Sequence, residues 1–340
     1  MSDPDSIAQA VQQIQTGRRF LLAAHAHLDG DALGAMLVSA HGLRLLGKQV
    51  VLYNPDPVPR RLRFVPGATE VIRRVPPGQT FCATLVHDCS SSLLLGEHFP
   101  PRAATGQVIV IDHHEITADF GDIVIRDPRA GSAAQVALDL LFAAGLKPDG
   151  LSADLATALF VSLVEDTGWF RYPNTTAQVF GLAQLALSYG VDPWDISLRL
   201  DEQLTEASLR LRALVLQTLE RHCNGKLALL SLTDEMLRAA QATPDDIGKF
   251  VNYARAVGGV EIGAQITVSD RRIYVSLRSK GQVHVGLIAK QFGGGGHRNA
   301  AGCTIAFSQT VPDTLAEAKQ RLVSVCEQAL NSASTEPLSL

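Results

Sequence analysis

Four β-branched residues in succession, Val108-Ile109-Val110-Ile111, run directly into Asp112-His113-His114, and this stretch limits the possible folds more than any other. An unbroken apolar run of this length reads as a strand buried on both faces, as in the centre of a parallel α/β sheet. A carboxylate and two imidazoles at the end of such a strand are costly to bury unpaired. A metal ion that takes up their lone pairs is the simplest resolution.

Other segments end in the same way. Arg19-Phe20-Leu21-Leu22-Ala23-Ala24 reads as a strand that runs into His25, Asp29 and Asp31, and then into a helix from Ala32 to Leu46 that stops at Gly47. Val50 to Tyr53 is a second strand; Ala83 to Val86 is a third, ending at His87-Asp88, with Ser90 and Ser91 placed to cap a helix. Helices are expected from Ser132 to Ala144 and from Ser152 to Val164, the latter closing at Glu165-Asp166. Strands alternating with helices predict an α/β fold with a doubly wound, mainly parallel sheet, in which ligands bind beyond the carboxyl ends of the strands. Acidic residues favour loops, so any one of these could be incidental. As a set, delivered by three strands and a helix end to one edge, they point to a metal centre.

The donor mix narrows the metal. Four or five carboxylates with imidazoles and no thiolate suit manganese or magnesium better than structural zinc. So many negative charges call for two cations per chain, Mn2+ with Mg2+ as the alternative, sharing a bridging carboxylate and activating a water for attack on phosphorus. Among the neighbours, His27 is expected to support the loop or face solvent. Cys89 reads as a small buried thiol, Trp169, Phe170 and Tyr172 as either base-stacking or core residues, and Arg171 as a phosphate contact.

At 340 residues, with 46% hydrophobic, the chain is folded and long enough for two domains. The assignment is 1–190 for the domain with the metal site, 191–222 for a helical linker opened by Asp192-Pro193, and 223–335 for a smaller α/β domain that binds substrate. Strands are expected there at Leu227 to Leu232, Glu261 to Val268 and Arg272 to Ser276, with a loose polar tail from Asn331. Five scattered cysteines without a Cys-x-x-Cys pair suggest reduced thiols. With no signal peptide or membrane span visible, a cytoplasmic location is expected. From His222 onward there are 12 Lys+Arg against 10 Asp+Glu, which leaves 18 against 24 in the first 221 residues. That basic excess is too small for extended duplex binding.

Near the end, Gly293-Gly294-Gly295-Gly296 lets the backbone approach a ligand closely, while His297 and Arg298 bring donors to the same place and Arg278 and Ser279 follow a strand. Together they read as a clamp for a nucleotide or phosphate. Substrate is expected between the domains, with the metals cutting at one end and the clamp gripping the other.

The order His25-x-x-x-Asp29-x-Asp31, Asp88, Asp112-His113-His114 and Asp166 resembles the four motifs of the DHH phosphoesterase superfamily. Gly293 to Gly302 resembles the signature of its DHH-associated C-terminal domain. Within the superfamily the chain is most similar to two-domain nano-RNases that also dephosphorylate 3'-phosphoadenosine-5'-phosphate, with relatives that cleave cyclic dinucleotides. The resemblance implies His25 and Asp29 on one metal, Asp31, His113 and Asp166 on the other, and Asp88 between them. It further implies His114 as a donor to the scissile phosphate or leaving group, and Asp112 as its support or as a further ligand. Implied substrates are short single-stranded RNA, dinucleotides and 3'-phosphoadenosine-5'-phosphate, and the implied assembly is a homodimer. One departure is Gly131-Ser132-Ala133-Ala134-Gln135, where relatives often carry Ser-Ser-Thr-x-Glu; it removes no metal ligand. A pyrophosphatase or polyphosphatase, a single-strand exonuclease and a non-catalytic nucleotide sensor remain as rival readings.

Overall fold

A computed structural model describes residues 3–114, 120–269, 272–280, 282–296, 298–306 and 311–333. The chain divides into two compact units, Met1–Gln203 and Leu204–Leu340.

In the first unit, α1 (Pro4–Thr16) precedes a sheet of β1 (Arg19–Ala24), β2 (Gln49–Tyr53), β3 (Ala83–His87), β4 (Gln107–Asp112) and β5 (Ile123–Arg126). The strands are all parallel, in the order β2-β1-β3-β4-β5. The chain leaves β1 toward one side for β2 and returns to its other side for β3. The sequence of directions therefore reverses at β1 and β3, which is where an open α/β sheet gathers ligands. The strands with apolar runs were legible as such; β5, only four residues long and at the sheet edge, was not expected. Its register places Ile123 beside Ile109, which pairs in turn with Leu85.

One face of the sheet carries the larger core, built with α2 (Gly30–Leu45), α4 (Ala133–Ala143) and α5 (Ala153–Asp166). The short α3 (Arg102–Thr105) and several 3-10 turns belong to the connections, and a smaller apolar cluster of Leu21, Ala23, Tyr53, Val86 and Val110 lies on the other face. Helix α2 is buried almost all round, as its uniformly apolar sequence demands. It lies close to α5 because Gly34 has no side chain: a Cβ there would stand 2.6 Å from that of Ser162. The helix starts at Gly30, two residues earlier than expected, because the Asp29 carboxylate accepts from Ala32 N and caps it. Asp31 consequently sits in its first turn. Helix α5 runs on to Asp166, followed by α6 (Ala177–Ser188) and α7 (Pro193–Asp201).

The expected helical stretch to His222 is divided. Helix α7 ends at Asp201 in the first unit, and Thr205 caps a new helix, α8 (Glu206–Leu216), in the second; Glu220–His222 is a strand, β6. The second unit continues with β7 (Leu227–Leu232), α9 (Asp234–Ala240), α10 (Val251–Ala256), β8 (Ile262–Ser269), β9 (Arg272–Ser279), α11 (Val285–Lys290), β10 (Gly295–Gly296), β11 (Ala300–Ala306) and α12 (Val311–Ala333). Its sheet, β10-β11-β9-β8-β7-β6, is antiparallel except for β7 beside β8. Asn331, where a loose tail was expected, still lies in α12. Among the described residues no helix is long and apolar enough to cross a membrane.

Candidate metal centre

The residues that follow β1, β3 and β4 meet at the carboxyl edge of the first sheet, joined by the last turn of α5. Three groups of donors each lie within 4.8 Å of one another: His25, Asp29 and Asp88; Asp31, His113 and Asp166; and Asp88, His113 and His114. Asp88 belongs to two of them. His113 Nε2 is 3.2 Å from Asp31, 3.7 Å from Asp88 and 3.8 Å from Asp166, and His25 Nε2 is 3.5 Å from Asp88.

Local structure fixes each donor. Asp88 has a left-handed backbone, φ 49°, which an aspartate tolerates better than a β-branched residue would. The His25 and His113 Nδ1 atoms lie 2.6 and 3.2 Å from the carbonyls of Ala26 and Ala130. A carbonyl only accepts, so each Nδ1 carries a proton and Nε2 is the nitrogen aimed at the carboxylates. The loop after β1 is tied down by Asn54, whose amide donates to the Ala24 and His25 carbonyls, and by Asp56, which accepts from His27 N at 2.6 Å.

Asp112 takes a different part from its neighbours. Fully buried, its Oδ1 accepts from His113 N, His114 N and His114 Nδ1 at 2.8, 3.2 and 2.7 Å. It therefore orients the two histidines, and it is absent from the three donor groups.

The electrostatics describe a cluster in need of positive charge. Burial and the Asp31 charge push Asp88 up despite His114 and His25, and burial with three carboxylate neighbours raises Asp166 to about 7. Burial opposes the charged form of His25, but Asp88 and Asp29 outweigh it and raise this imidazole to about 10; His113 is likewise driven upward. Burial acts against Asp31 as well, yet bonds from His113, Ala133 and Ser162 hold it low. Two buried oxygens, Asp88 Oδ1 and Asp112 Oδ2, have no hydrogen-bond partner among the described residues. Oxygen-rich donors, two carboxylates raised by burial and by neighbouring charge, and an orphaned oxygen on the shared Asp88 all fit hard divalent cations, and the donor set contains no thiolate.

The other residues singled out from sequence divide. His27 is exposed and outside the donor groups. Cys89 is buried, with its thiol pushed up to about 12 by burial. Trp169 donates to Asp201 and packs edge-on against Phe160, and Phe170 stacks on Phe180; both are packed against the core rather than open for a base. Arg171 is exposed and donates to the Gly168 carbonyl.

In the second unit, β10 and β11 form a glycine hairpin, with Gly295 opposite Gly302 and Gly296 opposite Ala301. Gly294 lies against it: a Cβ there would stand 2.1 Å from the Gly302 carbonyl oxygen. Ser279 Oγ donates to Asn299 Oδ1, Arg278 donates to Leu277 O, and Arg298 donates to Gln282 O. His297 lies outside the described residues. Sequence reasoning missed the supporting contacts of Asn54, Asp56, Ser162 and Asn174. Only Ser162 gave a signal, as a polar residue in a strongly apolar helix.

Residues 19–163 match the DHH family, N-terminal domain, and residues 224–324 match the DHHA1 domain. The bifunctional oligoribonuclease and PAP phosphatase NrnA of Thermus thermophilus is 34% identical over 84% of this chain and 83% of its own. The cyclic-di-AMP phosphodiesterase PdeA of Listeria monocytogenes is 26% identical over 94% of this chain and 49% of its own. An exopolyphosphatase-related protein from Bacteroides fragilis, solved by crystallography, superposes with a TM-score of 0.83 at 26% identity, covering 98% of this chain and 97% of its own.

Proposed function

The chain belongs to the DHH family, and from that premise we propose that it is a metal-dependent phosphoesterase that hydrolyses short single-stranded oligoribonucleotides and 3'-phosphoadenosine-5'-phosphate. The observation that carries this reading is the convergence of His25, Asp29, Asp31, Asp88, His113 and Asp166 on one sheet edge, with Asp88 shared between donor groups. His25 and Asp29 would hold one Mn2+ or Mg2+, Asp31, His113 and Asp166 a second, and Asp88 would touch both. Bound cations supply charge neutralisation at the phosphate and a water acidic enough to attack phosphorus near neutral pH. The chain's own residues do the rest. Burial opposes a charge on His114, but Asp112 and Asp88 outweigh it and raise this imidazole; with Nδ1 donating to Asp112, the cationic ring would offer its Nε2 proton to a phosphate oxygen or the leaving group. The His113 and His114 amides, both donating to Asp112 Oδ1, hold the two rings at their places on the chain.

Recognition is assigned to the glycine hairpin with Arg278, Ser279, Arg298 and His297. We assign a homodimeric, cytoplasmic enzyme. Similarity to the Listeria phosphodiesterase over nearly the whole chain keeps cyclic and linear dinucleotides in the substrate panel. The test is Mn2+-dependent release of mononucleotides from a two- to five-nucleotide RNA, compared with phosphate release from 3'-phosphoadenosine-5'-phosphate and from pyrophosphate. Turnover of pyrophosphate alone would replace the reading with a phosphoanhydride hydrolase.

A further inference from the structure

Asp31, His113 and Asp166 come from the start of α2, the end of β4 and the end of α5, yet all three are held from one turn, residues 130–133, none of which is in the three donor groups. The Ala130 carbonyl accepts from His113 Nδ1 at 3.2 Å. The Gly131 carbonyl accepts from Asn174 Nδ2 at 3.0 Å, and the same amide donates to Asp166 Oδ2 at 2.9 Å. Ser162 Oγ stands 2.5 Å from Asp31 Oδ1 and donates its one proton there, and it lies 2.9 Å from Ser132 Oγ, whose hydroxyl is placed to donate to it. Ala133 N donates to both Asp31 oxygens, at 3.1 and 2.9 Å.

The turn is itself immobilised. Gln135 Oε1 accepts from Gly131 N, Ser132 caps α4, and a Cβ on Gly131 would stand 2.2 Å from a Val179 methyl. Among the described residues, His25, Asp29 and Asp88 share no such hub. His25 leans on the adjacent Ala26 carbonyl, and Asp29 caps its own helix.

We propose that residues 130–133, with Ser162 and Asn174 as positioning residues, form a cradle that presets the Asp31/His113/Asp166 half of the centre for its cation, independently of the other half. The inference rests on the metal reading above. Freeing one carboxylate oxygen from its partner lets that carboxylate adopt orientations that cannot ligate, so affinity falls for one ion and not for its neighbour. The segment that departs from the family pattern, Gly131 to Gln135, thus serves the centre through one backbone carbonyl, one hydroxyl and one amide, and the preceding Ala130 adds a second carbonyl.

The test is a Mn2+ titration of the metal-free full-length chain by calorimetry, with bound ions counted by electron paramagnetic resonance, for wild type, Ser162→Ala and Asn174→Ala. Thr157→Ala, a half-buried hydroxyl on the same helix that bonds to Ala153 O within α5, is the control. Wild type and control should bind two ions. Each of the other variants should bind one ion about 10- to 100-fold more weakly and the other within about twofold. The melting temperature of the metal-free variants should stay close to wild type, and kcat for a short RNA should fall more than KM changes. Because Asn174 is only half-buried, its variant tests the proposal by itself if the buried Ser162 position tolerates no change. Two wild-type affinities in Asn174→Ala would overturn the cradle, as would equal weakening of both ions together with a lowered metal-free melting temperature. Wild-type protein that binds no Mn2+ would instead remove the metal reading on which the inference stands.

Discussion

The carboxyl edge of the first sheet and the glycine hairpin of the second unit carry their chemistry in opposite ways. At the edge the working groups are side chains, desolvated and interlocked: Asp88 and His113 are 4% and 3% exposed, and each polar contact fixes another donor. At the hairpin the proposed binding surface is backbone, brought close by missing side chains. Gly286 packs on the Gly296 carbonyl, and Gly294 packs on that of Gly302. The side chains there are moored elsewhere, with Arg298 on Gln282 and Ser279 on Asn299. Charges that must act on a bond are held in place before the ligand arrives, because reorganising them in a low dielectric is costly. Amides that only recognise a ligand need close approach and little else.

The sharpest way to break this contrast is to remove the group on which the edge depends. Asp88→Asn keeps the shape and tolerates the left-handed backbone, but it removes the charge from the oxygens shared by two donor groups. Bound Mn2+ should drop below two ions per chain, and hydrolysis should fall roughly 10²–10³-fold, matching the effect of a chelator on wild type. Two ions still bound, with a rate within tenfold of wild type, would move the shared ligand to another residue.

The hairpin should respond in stability first. Gly294→Ala places a methyl group 2.1 Å from a carbonyl oxygen and 2.5 Å from Cys303 Cβ, and backbone on both sides cannot simply rotate away. A loss of about 3 kcal/mol, the upper end for overpacking, is expected in the urea unfolding of the second unit. Mn2+ binding should be unchanged. Weakened Mn2+ binding would show that the hairpin and the edge are coupled.

Much of the edge was legible because strand-forming apolar runs end abruptly in acids and histidines, a pattern set by local chemistry. Its supports were not. Asn174 meets Asp166 across a turn, and Ser162 meets Asp31 across 131 positions, pairings that only the packed fold creates. The short β5 lacked the length to stand out, and α7 and α8 read as one helix because Glu202 to Thr205 interrupts no apolar period strongly. The hairpin showed the converse. Its glycines announced close approach, but nothing in the sequence indicated that Arg298 would be tied to Gln282.

A smaller effect is expected at His87, the residue before Asp88. Its Nδ1 donates to Ala23 O and its Nε2 accepts from Ser39 Oγ, both buried, and burial lowers this imidazole to about 4. The unfolded chain, with an ordinary value near 6.5, takes up a proton before the folded one does. Stability therefore falls as pH drops through 6.5 and levels off below about 4. In metal-free protein this contributes a loss of about 2 kcal/mol between pH 7 and pH 5, and His87→Asn should flatten that slope by the same amount. An unaltered slope would mean that the edge is sensitive to acid through its carboxylates and histidine donors alone.

The smallest effect concerns Arg278, where the proposed hairpin recognition would rely on a charge. Its guanidinium already donates to Leu277 O, so a phosphate would gain only part of a charge-assisted contact. Arg278→Ala should cost about 1 kcal/mol in kcat/KM for a dinucleotide, roughly fivefold, carried mainly by KM. Hydrolysis of bis-p-nitrophenyl phosphate, which has no nucleoside for the hairpin to hold, should change less than twofold, on the order of a few tenths of a kcal/mol. The pairing of substrates is what makes the result interpretable. Loss confined to the dinucleotide assigns Arg278 to recognition, whereas equal loss on both esters would mean that the second unit supports the chemistry itself, and the division between acting side chains and recognising backbone would have to be redrawn.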